Sequence, residues 1–170
     1  SDIDRIARLL NTYREQIRAQ SPRSFAAWHQ NRTVMPAGVG SLFRLADPFP
    51  MVVKKATGAR VWDADDVEYL DFMLGFSTMI LGNAPDDVRE AIMDALPRGT
   101  SYGQCHDHEY AFAKLFCDMV PGVDKVAFCN SGTEATMYAC RLARATTGRP
   151  LIAKFEGGYH GHADAMLVSA

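Results

Sequence analysis

The chain has no cluster of basic residues and no long apolar run. Its 170 residues contain 18 Lys and Arg against 20 Asp and Glu, which gives a formal net charge of −2. Because phosphate-backbone binding needs clustered Lys and Arg, we expect no nucleic-acid partner. No apolar run approaches the roughly 20 residues that span a bilayer, and the N-terminus lacks the basic-then-apolar pattern of a signal peptide. We therefore expect a cytoplasmic protein with no membrane partner.

The four cysteines include no Cys-x-x-Cys pair and lie in apolar or mixed stretches, at Cys105, Cys117, Cys129 and Cys140. Free cysteines are among the most buried residue types, and disulfides are rare in reducing compartments. We expect four buried free thiols.

The N-terminal part of the chain is predicted to form helices followed by a small antiparallel β meander. Apolar residues recur at helical spacing over 3–19, and a second short helical stretch covers 25–28. Three β-like runs separated by turns follow, at 51–53, 60–62 and 69–72. We assign residues 1–75 to this helical segment and meander.

Residues 76–170 are predicted to form the first, incomplete part of a large α/β domain. Amphipathic helices are predicted at 86–96, 108–119 and 133–147. Short apolar runs flank the last of these helices and suit buried strands, at 126–129 and 151–155. Strand, helix and strand at this spacing predict a right-handed βαβ unit in a mostly parallel sheet flanked by helices.

The segment from Phe128 to Ala135 predicts a site for an anion. A buried strand ends there and a helix begins, with Ser131 as the N-cap and Glu134 three residues later, which completes a capping box. Gly132 lets a ligand approach the backbone closely, and the helix N-terminus offers free N–H groups at the C-terminal end of a parallel strand. The hydroxyls of Ser131 and Thr133 would add two hydrogen bonds to a phosphate. The alternative interpretation is a helix cap that binds no ligand.

The segment from Phe155 to His162 follows the next predicted strand and predicts a second site at the same sheet edge. Its glycines leave room, and Tyr159 could place its ring flat against a planar cofactor. Taken alone, a segment of this kind is more often a flexible loop with an exposed aromatic. Together with the Ser131 segment, it matches the needs of a flat, phosphorylated heterocycle.

Two motifs resemble the class III aminotransferases of fold type I, which depend on pyridoxal 5'-phosphate (PLP). They are Asn130–Thr136 and Lys154–Asp164, and the resemblance runs from about Pro36 to Ala170. It is nearest to the branch of glutamate-1-semialdehyde aminomutase and its β-amino-acid transaminase relatives. The resemblance implies an α/β protein of the PLP-dependent transferase fold type I, with an N-terminal helix and a small antiparallel meander before the large domain. It also implies a homodimer with the active site at the subunit interface.

The resemblance also implies a cofactor and an activity. In the family, the positions of Ser131, Gly132 and Thr133 hold the PLP phosphate, and the position of Tyr159 stacks on the pyridine ring. The implied activity is PLP-dependent transfer of an amino group between an amino acid or amine and a carbonyl acceptor. The alternative is intramolecular amino transfer, as in glutamate-1-semialdehyde aminomutase.

The resemblance also assigns substrate-binding residues. Ser41 and Arg44 fall on substrate-contacting positions of the family's substrate loop, and Phe76 stands where the aminomutases usually have Trp. Asn83 replaces a usual His, and Leu42 replaces a usual Pro. These departures lie near the substrate, so they bear on the reaction and leave the cofactor assignment intact.

The lysine that forms a Schiff base with PLP is expected downstream of this chain, which looks like the N-terminal portion of a family member. None of the five lysines present falls on the family's position: Lys54, Lys55, Lys114, Lys125 and Lys154. We therefore expect this portion alone to be inactive.

A competing interpretation is a zinc hydrolase. His160, His162 and Asp164 form an H-x-H-x-D string, and His106 and His108 could supply more ligands. The His that usually follows the Asp is absent, because position 165 is Ala, and this interpretation leaves the Ser131 segment without a role. We expect no metal site. A non-catalytic binding module stays open as a third class.

Overall fold

The computed structural model describes residues 2–168, which form two compact units that divide between Thr100 and Ser101. The assignment of 1–75 to an N-terminal segment and 76–170 to a larger α/β domain stays a prediction.

Two helices begin the first unit, and both were predicted from the sequence. Helix α1 spans Asp2–Gln20 and helix α2 spans Pro22–Asn31. Pro22 suits the first turn of α2, where a missing N–H costs nothing. The carboxylate of Asp65 caps this helix from another part of the chain, because it accepts the backbone N–H groups of Arg23 at 2.9 Å and Ser24 at 3.1 Å.

The antiparallel meander that the sequence predicts is confirmed. Strands β1 (Val53–Thr57), β2 (Arg60–Asp63) and β3 (Glu68–Leu70) pair in that order, each antiparallel to the next. Strand β1 lies further along the chain than the apolar run at 51–53 predicts. The ladder pairs Val53, Lys55, Ala56 and Thr57 with β2, and apolar content alone does not reveal which backbone groups have a partner.

A buried carboxylate organises the turn between β2 and β3. Asp63 is fully buried, and its Oδ1 accepts the backbone N–H groups of Asp65 and Val67, each at 2.9 Å. Its Oδ2 accepts the hydroxyl of Tyr69 at 3.1 Å. Burial and this hydrogen bond to Asp63 raise the pKa of Tyr69. The neighbouring apolar core of the unit contains Val39, Phe49 and Val61.

A short helical turn and a longer helix complete the first unit. Helix α4 spans Asp86–Ala95, as predicted. The turn α3, Leu74–Ser77, is left-handed, since the φ angles of its four residues lie between 44° and 68°. This conformation costs roughly 1–2 kcal/mol for each residue that carries a Cβ, so neighbouring groups must hold it in place.

The second unit contains two further predicted helices, α5 (Asp107–Met119) and α6 (Gly132–Thr147). Helix α6 ends at Gly148, whose left-handed conformation is typical of a helix C-terminus. A 3₁₀ turn follows at Asp164–Met166, where Met166 is buried.

The predicted parallel sheet is absent from residues 2–168. The apolar runs at 126–129 and 151–155 form no paired strand there, so the predicted βαβ unit is wrong for this part of the molecule. A β-strand exists through hydrogen bonds to a neighbouring strand, and neither run has such a neighbour among the residues described. Apolar content alone therefore misjudged both segments.

The four thiols are free but not buried, which corrects the prediction. Cys105 and Cys129 are exposed, and Cys117 and Cys140 are half-buried.

The described helices include none with the length and apolar character needed to cross a bilayer.

Candidate active site

The N-terminus of α6 has the cap that its sequence predicts. Ser131 has extended backbone angles, and its Oγ accepts the N–H of Glu134 at 3.2 Å. The carboxylate of Glu134 accepts the N–H of Asn130 at 2.6 Å. In the usual capping box, that carboxylate returns to the N-cap residue itself. Here it reaches one residue further back, which fixes the chain as it enters the helix.

The first turn of α6 offers several hydrogen-bond donors to a ligand. The backbone N–H groups of Gly132 and Thr133 donate no hydrogen bond to any other described residue. A Cβ built on Gly132 would find no atom within 4 Å, so the approach to this backbone is open. Free N–H groups at a helix N-terminus, together with the positive end of the helix dipole, form a binding site for anions.

The hydroxyl groups of Ser131 and Thr133 can each donate a hydrogen bond to a ligand. A hydroxyl has one hydrogen to donate and two lone pairs. Ser131 Oγ accepts from Glu134, and Thr133 Oγ1 accepts the backbone N–H of His162 at 3.1 Å. Because both oxygens serve as acceptors within the protein, their hydrogens remain for an outside acceptor. A phosphate dianion carries only acceptors, so this donor set fits a phosphate.

The loop of Tyr159 packs directly against Thr133. Gly161 is buried, with φ of +88°, and a Cβ there would lie 2.5 Å from Thr133 Oγ1 and 2.8 Å from its Cα. Only glycine permits this approach and this conformation. The structure thus brings together the two segments that the sequence predicts at one edge of a parallel sheet, although residues 2–168 contain no such sheet. The sequence indicates Gly161 only as one of several glycines that leave room and His162 only as a possible zinc ligand, and it does not reveal their contact with Thr133.

Tyr159 is linked to the same contact through a neighbouring ring. The rings of Tyr159 and His162 lie 5.7 Å apart between centroids, at 76° to each other. Tyr159 is 48% exposed, so part of its ring is accessible to a ligand. An aromatic ring beside a cradle of donors suits a planar, phosphorylated compound.

Two of the three predicted substrate residues line one cleft in the first unit. Arg44 and Phe76 border a space of about 700 Å³, and the ring of Phe43 stands edge-on to Phe76 at 6.5 Å between centroids. Ser41 does not line this cleft and is half-buried at the start of the 3₁₀ turn Leu42–Arg44. The cleft therefore combines aromatic surface with one guanidinium group.

Asp71 and Asn83 anchor the left-handed turn that carries Phe76. Asp71 Oδ1 accepts the backbone N–H groups of Met73 and Leu74, both at 2.9 Å, and its Oδ2 accepts the side-chain amide of Asn83 at 2.8 Å. The bonds from Leu74 and Asn83 hold the pKa of Asp71 below its usual value. The backbone of Asn83 is itself paired in both directions with Gly58, at 2.8 Å.

Both residues also line the cleft. The sequence indicates Asn83 only as a departure from a usual His near the substrate and gives Asp71 no role. The sequence signal for this role is the residue type of Asp71. Asp side chains commonly accept hydrogen bonds from the backbone N–H groups two and three residues further along the chain, and such bonds form turns.

Nothing in the described structure favours a metal centre. Residues 2–168 contain no group of three or more His, Cys, Asp or Glu side chains arranged to hold a metal ion. His160, His162 and Asp164, the string behind the zinc interpretation, form no such group.

The sequence and the structure of this chain are similar to those of known aminotransferases and an aminomutase. Residues 43–170 match the family model described as aminotransferase class-III. The glutamate-1-semialdehyde 2,1-aminomutase of Aquifex aeolicus is 51% identical over 140 residues, which cover 81% of this chain and 33% of that protein. An omega-transaminase from Sphaerobacter thermophilus superposes with a TM-score of 0.82 at 40% identity, over 86% of this chain and 33% of that one. A transaminase solved with PLP bound gives a TM-score of 0.82 at 39% identity, over 86% and 34%.

The match covers most of this chain and a small part of its relatives. The chain spans about a third of the length of the curated relatives that it matches. The family model covers three quarters of the chain, including the Ser131 cap, the Tyr159 loop, Arg44 and Phe76. The chain therefore belongs to the class-III aminotransferase family.

Proposed function

We propose that the protein that carries this chain is a PLP-dependent aminotransferase, which moves an amino group from an amino acid or amine to a carbonyl acceptor. The observation that carries the proposal is the contact of Thr133 with the backbone of Gly161 and His162. This contact joins the open N-terminus of α6 to the loop of Tyr159. Family membership and the relative with PLP bound support the choice of cofactor.

The cofactor site is proposed at Ser131, Gly132, Thr133 and Tyr159. The N–H groups of Gly132 and Thr133 and the two hydroxyls would bind the phosphate, and the ring of Tyr159 would stack on the pyridine. When bound, PLP supplies the electron sink for the reaction at the amino-bearing carbon. The contribution of these residues is to hold and orient the cofactor, and the helix dipole of α6 favours the phosphate charge.

The substrate site is proposed at Ser41, Arg44 and Phe76. A guanidinium group can bind a carboxylate through two parallel hydrogen bonds, so Arg44 would select substrates that carry a carboxylate. Phe76 and Phe43 would contact the apolar part of the substrate in the same cleft. The cytoplasmic location and the homodimer with its active site at the subunit interface are also part of the proposal, and the homodimer is what the resemblance to the family implies.

Intramolecular amino transfer is the second candidate. The 51% identity to a glutamate-1-semialdehyde 2,1-aminomutase favours it. The departures at Leu42, Phe76 and Asn83 favour transfer between two molecules, because each replaces a residue usual in the aminomutases near the substrate.

The test uses the full-length protein. PLP is titrated and followed by visible absorption, and the loaded protein is then given pairs of amino acids and 2-oxo acids. We expect one PLP site per chain and transfer of the amino group to the acceptor. Isomerisation of glutamate 1-semialdehyde without any second substrate would select the intramolecular reaction. A full-length protein that binds no PLP would contradict both proposed reactions, the intermolecular and the intramolecular amino transfer.

A further inference from the structure

The side chain of Lys154 connects the two ends of the loop that carries Tyr159. Its Nζ donates to the carbonyl oxygen of Gly158 and to that of Met166, each at 3.0 Å. Lys154 is half-buried and Met166 is buried. A backbone hydrogen bond from Gly158 N–H to Phe155 O, at 3.1 Å, tightens the start of the same loop. The ammonium group therefore fixes residues 158 and 166 relative to one another.

The middle of this loop is the part that contacts Thr133. Gly161 lies against Thr133, and the N–H of His162 donates to Thr133 Oγ1 at 3.1 Å. The loop is therefore held at three points, its two ends by Lys154 and its centre by the first turn of α6. Movement of either end would change how far Gly161 and His162 approach Thr133.

The charge of Lys154 is stabilised by carbonyl groups. Within residues 2–168, no Asp or Glu forms an ion pair with Lys154, in contrast to Lys114, whose Nζ lies 2.8 Å from Asp118 on α5. Hydrogen bonds from an ammonium group are stronger than those between neutral groups. A half-buried cation with two carbonyl acceptors thus makes a firm cross-link across the loop.

We propose that Lys154 is a positioning residue for cofactor binding, which acts through the loop and does not itself touch PLP. It holds the carbonyls of Gly158 and Met166 so that Gly161 and His162 reach Thr133 and Tyr159 keeps its place beside them. This inference rests on the proposed function of the Thr133 site. The loop arrangement itself does not, so it can be tested without the cofactor.

The experiment compares three variants of the full-length protein. Lys154→Met removes the donors, Lys154→Arg keeps a cation with several donors, and Lys114→Met is the matched control on α5. Amide hydrogen exchange of the PLP-free proteins is measured over 158–166, and the dissociation constant for PLP is measured separately. For Lys154→Met we expect faster exchange confined to the loop and a PLP dissociation constant raised roughly tenfold, as for the loss of a hydrogen bond to a charged group. Lys154→Arg should restore most of both values, and Lys114→Met should change neither.

The outcomes separate the inference from the proposed function. Loop exchange that is unchanged in Lys154→Met overturns the inference, whatever the protein binds. A PLP affinity that is unchanged despite faster loop exchange also overturns it. If Lys154→Met does not fold, Lys154→Gln replaces it, since the amide keeps a donor without the charge, and values for Lys154→Gln equal to those of the unaltered protein would contradict the role of the cation. Absence of PLP binding in the unaltered protein contradicts the proposed function, while the exchange data still decide whether Lys154 holds the loop.

Discussion

The backbone N–H of His162 donates a hydrogen bond to Thr133 Oγ1 across 29 residues of sequence, at 3.1 Å. This bond uses a lone pair of the threonine oxygen and leaves the hydroxyl hydrogen to donate elsewhere. Thr133 thus has two functions in one side chain, since it fixes the Tyr159 loop and completes the donor set of the α6 N-terminus. The first prediction concerns the loss of both functions together.

Thr133→Val should weaken PLP retention in the full-length protein. Valine has nearly the same shape but lacks the hydroxyl, so it can neither donate to the phosphate nor accept from His162. We expect a loss of about 1.5–3 kcal/mol, the contribution of a hydrogen bond to a charged group. The measurement is a PLP titration by absorption or fluorescence.

Two controls accompany that substitution. Thr133→Ser keeps the hydroxyl and should retain most of the affinity. Thr147→Val removes the hydroxyl of another threonine on α6, which bonds to nearby backbone at the far end of the helix. Titration curves of Thr133→Val and the unaltered protein that superimpose would contradict the phosphate assignment.

Gly161→Ala should impair PLP binding far more than Gly157→Ala does. Both glycines have positive φ, +88° and +72°, so both substitutions carry a backbone penalty of roughly 1–2 kcal/mol. The added Cβ at Gly157 meets no atom within 4 Å, whereas at Gly161 it would lie 2.5 Å from Thr133 Oγ1. The difference between the two variants in PLP affinity therefore isolates the contact with Thr133. Equal losses would show that the loop responds to backbone strain alone.

The sequence predicted the local features of this site and their proximity, but not the contact through which they meet. The cap at Ser131 and Glu134 was predictable because its spacing follows from helix geometry. Helix α2 and the meander were predictable from periodicity. The approach of Gly161 to Thr133 depends on the path of a loop with several glycines, and residue type does not specify that path. The left-handed turn α3 was also missed, because it depends on hydrogen bonds to Asp71 and not on the residues within it.

Arg44→Lys should raise the KM for donors that carry a carboxylate. Lysine keeps the charge but lacks the planar pair of donors, so it cannot form the bidentate contact. We expect roughly a tenfold rise in KM for amino acids, equivalent to one lost charge-assisted hydrogen bond, and little change for simple amines. Steady-state kinetics with both donor types measure it. Arg89→Lys is the control, since Arg89 pairs with Asp86 on the surface of α4. Equal effects on both donor types would contradict a role in binding the carboxylate.

Asn83→Ala should raise the pKa of Asp71 towards its usual value without restoring it fully. The backbone N–H of Leu74 contributes most to lowering this pKa and remains, while the amide of Asn83 is removed. A carboxyl group whose pKa is lowered on folding stabilises the folded state above its unfolded pKa, and this stabilisation is lost as the pH falls through the folded pKa. Asn83→Ala should therefore have a smaller free energy of unfolding than the unaltered protein above the unfolded pKa of Asp71, and this difference should shrink as the pH falls through the folded pKa.

Carbon-13 NMR titration of the aspartate carboxyl groups measures this shift. Asp66 serves as an internal control in the same spectra, because the hydrogen bond and the charge of Lys54 lower its pKa and Asn83 has no part in that shift. A pKa of Asp71 that does not move, or that moves together with the pKa of Asp66, would contradict the anchoring of α3 by Asn83.

The last prediction is that residues 1–170 alone carry out no amino transfer when PLP is added. A lysine must be deprotonated to form a covalent bond with the cofactor, and four of the five lysines already contact other groups in the described structure. Lys54 binds Asp66, Lys55 lies over the ring of Trp62, and Lys154 donates to two carbonyls. The bond to Asp118 raises the pKa of Lys114, which makes its amine still less available. Incubation with PLP at near-stoichiometric concentration, followed by borohydride reduction and peptide mapping, should find only weak labelling spread over the exposed lysines, as in the urea-unfolded chain. Saturable labelling of a single lysine, together with transfer from an amino donor, would show that one of these five does the chemistry after all.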